Sequence, residues 1–263
     1  MEQRAQSNEP SPWRVLALNG GRVEAGEGYT FSLPSIATDY ADAQIDDYGQ
    51  PGGEFTWRPG TALYLRARFS HDAGELQGTA GFGFWNSPYG DPSHRRLALP
   101  QAAWFFFASA PNDLPFAPGM PGRGWFAATL DARSPSAISL IPLAPAVLAL
   151  NQFAGARRRI WPALRRRLGI YAAAIELPMT QWHNYRVEWR AGSVSFAVDG
   201  TTLLVTPHAP RGPLGFVCWI DNQYLVLTPR GRWQAGVVST PIQWLEIADL
   251  RLGRLIDMAA DTP

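Results

Sequence analysis

A polar run with a central carboxylate follows one of the most apolar stretches of the chain. Residues 214–220 are apolar, and Asp221, Asn222, Gln223 and Tyr224 come directly after them. A carboxyl group beside apolar walls has a raised pKa, so Asp221 could donate or accept a proton. The alternative is a strand-end turn in which Asp and Asn stabilise the backbone. The run predicts ligand contacts, with proton transfer at Asp221 as a further hypothesis.

Two other runs offer carboxylates. Gln44 and Asp46 share one face of a predicted strand and are predicted to contact a ligand, whereas Asp46 and its neighbour Asp47 point to opposite faces and form no dyad by themselves. His94 with Asp91 could form an acid/base pair, although an ordinary proline and glycine turn explains the same residues. The chain has no metal-ligand spacing, phosphate loop or nucleophile elbow, so neither a metal nor a cofactor is expected.

The elements that must position these side chains are short strands. From Trp13 onward, apolar segments are cut by Gly, Pro, Asn and Asp, a spacing typical of an all-β sandwich. In residues 62–70, apolar and polar side chains alternate, which is the pattern of a half-buried strand. We expect one β-sandwich domain over residues 13–257, preceded by a flexible N-terminal arm over residues 1–12.

Residues 134–176 break the strand pattern. Ile160, Trp161, Leu164 and Leu168 fall on one helical stripe, and six arginines lie elsewhere on the same segment. The segment is predicted to be a short helical insertion between strands. Three roles stay open for it: a lid over a ligand cavity, padding that enlarges the core, or a contact of residues 157–168 with an anionic membrane surface.

A hairpin carries a family resemblance. Residues 182–204 contain Trp-His-Asn-Tyr-Arg-Val-Glu-Trp, a glycine turn, and a second strand that ends in Asp199-Gly200. They resemble the W-H-x-Y-x-x-E-W … I-x-F-x-V-D-G hairpin of the concanavalin A-like lectin/glucanase jelly roll, in particular that of family 16 glycoside hydrolases. Further strands of that family are similar, in the same order, to residues 81–86, 213–224 and 244–252. The resemblance implies a jelly-roll β-sandwich.

The same resemblance implies a catalytic motif that this chain lacks. Family 16 enzymes carry E-x-D-x-(x)-E on the strand after the A-F-W strand, because a retaining glycosidase needs two carboxyl groups about 5 Å apart. The corresponding residues 100–109 contain no carboxylate. Side chains alternate along a strand, so Trp104 and Phe106 share one face and Phe105 and Phe107 the other, which leaves both faces apolar. An aromatic, covered cleft is therefore predicted.

Composition limits what is expected of the chain's partners, its cysteine and its location. A formal net charge of +1 gives no reason to expect nucleic-acid binding. The single cysteine, Cys218, lies in an apolar run and is predicted to be a buried hydrophobe. Residues 1–10 contain no apolar signal-peptide core, so a cytoplasmic location is expected if Met1 is the native start.

Three functional hypotheses follow. The first is a divergent glucanase-like protein that binds, and could transform, a small hydrophobic or amphiphilic ligand. The second is a carbohydrate-binding protein or a non-standard glycoside hydrolase whose acids come from Asp46, Asp91, Asp221 or Glu246. The third is a peripheral membrane protein anchored by the insertion. The candidate ligand-binding residues are Trp85, Asn86, Trp104, Phe106, Trp219, Asp221, Asn222, Tyr224, Gln44 and Asp46.

Overall fold

Two seven-stranded sheets form the body of the protein. The structure is a computed structural model and describes residues 13–48, 55–88, 98–116 and 120–258. The predicted arm over residues 1–12 and the pair Asp91 and His94 lie outside the described residues.

The first sheet has the strand order β1-β4-β13-β6-β7-β8-β9. Its strands are β1 (Arg14–Leu18), β4 (Asp42–Asp46), β6 (Thr79–Trp85), β7 (Gln101–Ala108), β8 (Gly124–Asp131), β9 (Tyr171–Ala174) and β13 (Gly215–Asp221). The second sheet has the order β12-β11-β10-β5-β16-β3-β2. Its strands are β2 (Arg22–Ala25), β3 (Gly28–Leu33), β5 (Thr61–Phe69), β10 (His183–Trp189), β11 (Val194–Val198), β12 (Thr201–Val205) and β16 (Gln243–Arg254).

The architecture is a jelly-roll β-sandwich, which confirms the predicted fold class. Neighbouring strands of both sheets pair antiparallel. The motif hairpin is β10 and β11, paired with Val187 opposite Phe196. His183 in that motif contacts the Asp199 carboxylate and the Pro178 carbonyl, so it holds the hairpin together.

The core lies between the two sheets, because every second side chain of each strand points toward the other sheet. In β7, Phe105 and Phe107 are fully buried against the second sheet, and Tyr185 and Val187 of β10 face them. Cys218 belongs to the same cluster, and burial raises the pKa of its thiol well above the ordinary value. The other face of β7 points away from the second sheet, so an additional layer must cover it.

That layer is the helical insertion between β8 and β9. It contains α1 (Pro135–Ile138), a 3-10 turn (Ile141–Leu143), α2 (Ala144–Asn151) and α3 (Ala154–Arg167). We call residues 134–168 the lid. Beside it lies the hairpin of β14 (Gln223–Leu227) and β15 (Trp233–Val237), and a short helix α4 (Leu255–Met258) follows β16. Among the described helices, none has the length and apolar character needed to cross a membrane.

Candidate functional site

A cavity of about 1050 Å³ lies between the outer face of the first sheet and the lid. This volume is at the upper end of the range of small-molecule sites. Its floor is formed by outward side chains of β4, β6, β7 and β13, and its cover by the inner side of the lid. The apolar lid residues that line it are Ala137, Leu140, Ile141, Ala144, Val147, Leu148, Trp161, Leu164 and Leu168.

Four aromatic side chains form the centre of the floor, and we call Trp85, Trp104, Phe106 and Trp219 the aromatic row. Trp104 stacks on Trp85 with ring centroids 4.6 Å apart and on Phe106 at 5.1 Å. Trp219 tilts against Trp104 at 5.6 Å. The row provides a continuous apolar and π surface along one wall of the cavity.

Two glycines of β6 make room for this row. Gly83 pairs with Trp104, and Gly81 pairs with both Phe106 and Trp219. A Cβ atom at Gly83 would lie 2.6 Å from the Ala103 carbonyl oxygen and 2.7 Å from Trp104 Cβ. The missing side chains therefore let the rings of the flanking strands lie over β6.

Two carboxylates meet at one end of the floor. Asp42 on β4 pairs directly with Asp221 on β13, and both side chains line the cavity. Directly opposed residues of antiparallel strands have Cβ atoms about 4.5–5.5 Å apart. We call Asp42 and Asp221 the carboxylate pair.

Burial determines the protonation of this pair. Desolvation raises the pKa of Asp221 to about 6, although Thr79 Oγ1 donates a hydrogen bond of 2.7 Å to its Oδ1. Burial, and then the charge of Asp221, raise the pKa of Asp42 well above the ordinary value. Burial and the same two carboxylates also raise the pKa of Tyr40, whose hydroxyl hydrogen-bonds to Asp42. Burial and the mutual repulsion of the two carboxylates therefore favour the retention of a proton by the pair.

Two polar atoms of the cavity wall have no hydrogen-bond partner within the described residues. One is Asp42 Oδ1, and the other is Oδ1 of Asn151 on α2. Both side chains are at most 2% exposed. Leaving a buried polar atom unpaired is costly, so each of these oxygens is available to a hydrogen-bond donor on a ligand. No arginine or histidine is among the described residues that line the wall.

Seven of the ten predicted ligand-binding residues line the cavity. They are Trp85, Trp104, Phe106, Trp219, Asp221, Tyr224 and Gln44. Sequence analysis missed Asp42, Tyr40 and Asn151. Asp42 could have been predicted from the sequence, because Asp42 lies two residues before Gln44 and the strand period places both side chains on one face.

The other three predicted residues do not line the cavity and instead have structural roles. Asn86 joins the ends of β6 and β7, since it donates to the Leu99 carbonyl and accepts from the Gln101 N–H. Asn222 accepts from the Ala41 N–H at 2.9 Å, which ties β13 to the start of β4. Asp46 forms an ion pair of 2.8 Å with Arg14.

Glu246, proposed from sequence as an alternative hydrolytic acid, lies on the second sheet. It forms an ion pair of 2.6 Å with Arg68, and it is absent from the cavity wall. In the described part of the chain no group of three or more His, Cys, Asp or Glu side chains is placed to hold a metal ion. Within the cavity, the carboxylate pair can supply hydrogen bonds and proton transfer.

The stability of the protein should depend on pH through Asp221. Its ordinary pKa is 3.8 and its folded pKa about 6, so between these values the folded state retains a proton that the unfolded state has released. The free energy of unfolding therefore falls as the pH rises through this window. The total loss reaches about 3 kcal/mol once the pH is above 6. Asp221→Asn should raise the free energy of unfolding by up to about 3 kcal/mol at pH 7.5, and by about half of that near pH 5.

Urea unfolding of the wild type and this variant at both pH values measures the effect. Asp257→Asn is the matched control, because Asp257 is exposed and pairs only with Arg254 in the described residues. An Asp221→Asn variant that is less stable than the wild type at pH 7.5 would contradict the raised pKa.

Several contacts fix the lid to the sandwich. Arg165 Nη1 donates to the Phe116 carbonyl at 2.7 Å, and Gln152 Nε2 donates to the Arg230 carbonyl at 2.8 Å. At the base of the lid, the Asp131 N–H of β8 donates to the Leu168 carbonyl at 2.8 Å. The lid is therefore attached at its base and at the β14–β15 hairpin.

Comparisons with known proteins give the fold a context. No family model matches the chain, and no curated protein matches it significantly. A Crh5 transglycosylase in complex with NAG has 11% identity and a TM-score of 0.49, with 93% of this chain and 79% of that chain covered. The Emp47p carbohydrate recognition domain has 11% identity and a TM-score of 0.48, with 93% and 89% covered.

An endo-β-1,4-glucuronan lyase from the fungus Trichoderma reesei has 10% identity and a TM-score of 0.46, with 94% of this chain and 92% of that chain covered. At these sequence identities and TM-scores, the structural similarity concerns the general fold only. The specific resemblance to family 16 glycoside hydrolases stays a prediction.

Proposed function

We propose that the protein binds an amphiphilic small molecule whose apolar body occupies the cavity and whose polar head contacts the carboxylate pair. The observation that carries the proposal is the composition of the wall. The lid supplies mainly apolar side chains, the floor supplies the aromatic row, and the carboxylate pair lies at one end of the floor. Such a wall favours a long apolar body by burial of apolar surface.

The carboxylate pair selects the head of that ligand. At neutral pH the pair carries negative charge, and the described wall provides no cationic side chain. An anionic head such as a fatty-acid carboxylate would be repelled, whereas an amine or a hydroxyl can donate to Asp42 Oδ1. The preferred ligands are therefore cationic or neutral amphiphiles.

Titration calorimetry with three ligands of equal chain length tests this proposal. Dodecylamine and dodecan-1-ol should bind at one site with a negative heat-capacity change, the marker of apolar burial. Dodecanoate should bind at least about tenfold more weakly than the amine, as expected for a head of opposite charge. Absence of binding by all three, or preferential binding of dodecanoate, would refute the proposal.

A second candidate function is the binding or hydrolysis of an oligosaccharide. It is favoured by the aromatic row, on which sugar rings can stack, and by two facing carboxyl groups, the arrangement that glycoside hydrolysis requires. It also agrees better than the first candidate with the carbohydrate-related names of the similar structures. The aliphatic lid disfavours it, because sugar hydroxyls need polar partners on both sides. Laminarihexaose in the same calorimeter separates the two candidates.

A further inference from the structure

We infer that the outer side of the lid is a docking surface for an anionic lipid bilayer. The lid is a single layer, and its inner side lines the cavity. Four large apolar side chains that do not line the cavity are solvent-exposed, namely Ile138, Leu143, Leu150 and Phe153. A soluble surface rarely exposes several large apolar side chains within so short a segment, so this surface requires an explanation.

The charge of the lid favours a negatively charged partner. Residues 134–168 contain six arginines and no aspartate or glutamate, although the whole chain has a formal net charge of only +1. The arginines are Arg157, Arg158, Arg159, Arg165, Arg166 and Arg167. The layer that covers the cavity therefore carries positive charge that its own acidic residues do not offset.

The helical period places two exposed arginines of α3 outward. Leu164 and Leu168 of the α3 region face the cavity, and Arg159 and Arg166 lie on the opposite side of the helix at 100° per residue. Both of these arginines are exposed. The helix therefore presents apolar side chains to the cavity and cationic side chains to the exterior.

The neighbouring β14–β15 hairpin extends the same surface. It contacts the lid through Gln152 and the Arg230 carbonyl, and Trp233 on β15 is 70% exposed. Arg230 and Arg232 precede this tryptophan in the hairpin and are exposed as well. A tryptophan among arginines is typical of side chains that lie at the headgroup level of a bilayer.

The combination of features decides the class of partner. Arginines alone would also suit nucleic acid, but phosphate backbones offer no place for Phe153, which is 69% exposed. Interfacial segments combine basic residues with apolar side chains that enter the headgroup layer. A bilayer is also a reservoir of amphiphiles, so docking would place the cavity beside the source of its proposed ligand. The docking itself does not depend on what the cavity holds.

Vesicle co-sedimentation tests this inference. The full-length protein should bind vesicles of seven parts phosphatidylcholine and three parts phosphatidylglycerol, and should bind pure phosphatidylcholine at least about tenfold more weakly. The double variant Arg159→Glu/Arg166→Glu should lose at least about 25-fold in affinity for the anionic vesicles, at about fivefold for each arginine removed. Phe153→Ser should also weaken binding.

Matched controls lie on the second sheet. Arg190→Glu/Arg251→Glu makes the same change of charge at exposed positions, and Val205→Ser replaces an exposed apolar side chain. Both should bind like the wild type. Equal losses in the controls, equal binding to both vesicle types, or binding of an oligonucleotide without binding of vesicles would overturn the inference.

Discussion

Replacing both Asp42 and Asp221 with asparagine should lower the affinity for dodecylamine about 100-fold or more at pH 7.5. Two unit charges about 4 Å apart in a partly dry site attract by about 4 kcal/mol, and desolvation of the amine offsets part of this. The remaining loss of about 3 kcal/mol corresponds to about 100-fold. The affinity for dodecan-1-ol should change by less than about threefold, because its head is neutral and the asparagine oxygens still accept hydrogen bonds.

Titration calorimetry of both ligands with both proteins measures this selectivity. Asp249→Asn provides the control for removal of a carboxylate, since Asp249 is exposed on the second sheet and its positive φ of 53° suits asparagine. An unchanged affinity for dodecylamine would mean that the head of the ligand lies elsewhere in the cavity. It would leave the apolar part of the proposal intact.

Trp104→Ala should weaken dodecylamine and dodecan-1-ol alike, by about 100-fold. Trp104 lies at the centre of the aromatic row, in contact with Trp85, Phe106 and Trp219. Truncating a tryptophan at the centre of a binding surface to alanine costs about 3 kcal/mol of binding free energy. The loss should not depend on the head of the ligand, because the row contacts the apolar body.

Two further variants isolate the effect of that side chain. Trp182→Ala removes a tryptophan that packs on Arg66 and Arg68 at the second sheet, and should leave both affinities unchanged. Trp104→Phe keeps an aromatic ring in the row and should retain most of the binding. Full affinity of Trp104→Ala for both amphiphiles would contradict the placement of the apolar body on the aromatic row.

Strand alternation could be read from the sequence because it is a local property, and it places Trp104 and Phe106 on one face. Both faces of residues 100–109 carry aromatic side chains, as expected from the sequence, with Phe105 and Phe107 in the core and Trp104 and Phe106 on the cavity floor. The same alternation, applied two residues earlier than Gln44, identifies Asp42.

The other predicted polar contacts depend on hydrogen-bond partners that are distant in sequence, and a local pattern does not reveal such partners. The polar side chains of Asn86 and Asn222 look like ligand contacts in sequence, but they bond backbone groups that only the folded topology brings near, such as the Ala41 N–H. Asn151 lies in an apolar segment without a distinguishing motif, and it becomes a wall residue because the lid folds over the first sheet.

The central claim is that an apolar body fills the cavity and a cationic or neutral head meets the carboxylate pair. Native mass spectrometry of the protein, equilibrated with equal concentrations of dodecylamine, dodecan-1-ol, dodecanoate and laminarihexaose, tests it most directly. We predict a single adduct with the mass of dodecylamine or dodecan-1-ol, and its loss in Trp104→Ala. An adduct of laminarihexaose or dodecanoate in the absence of the other two would contradict the claim.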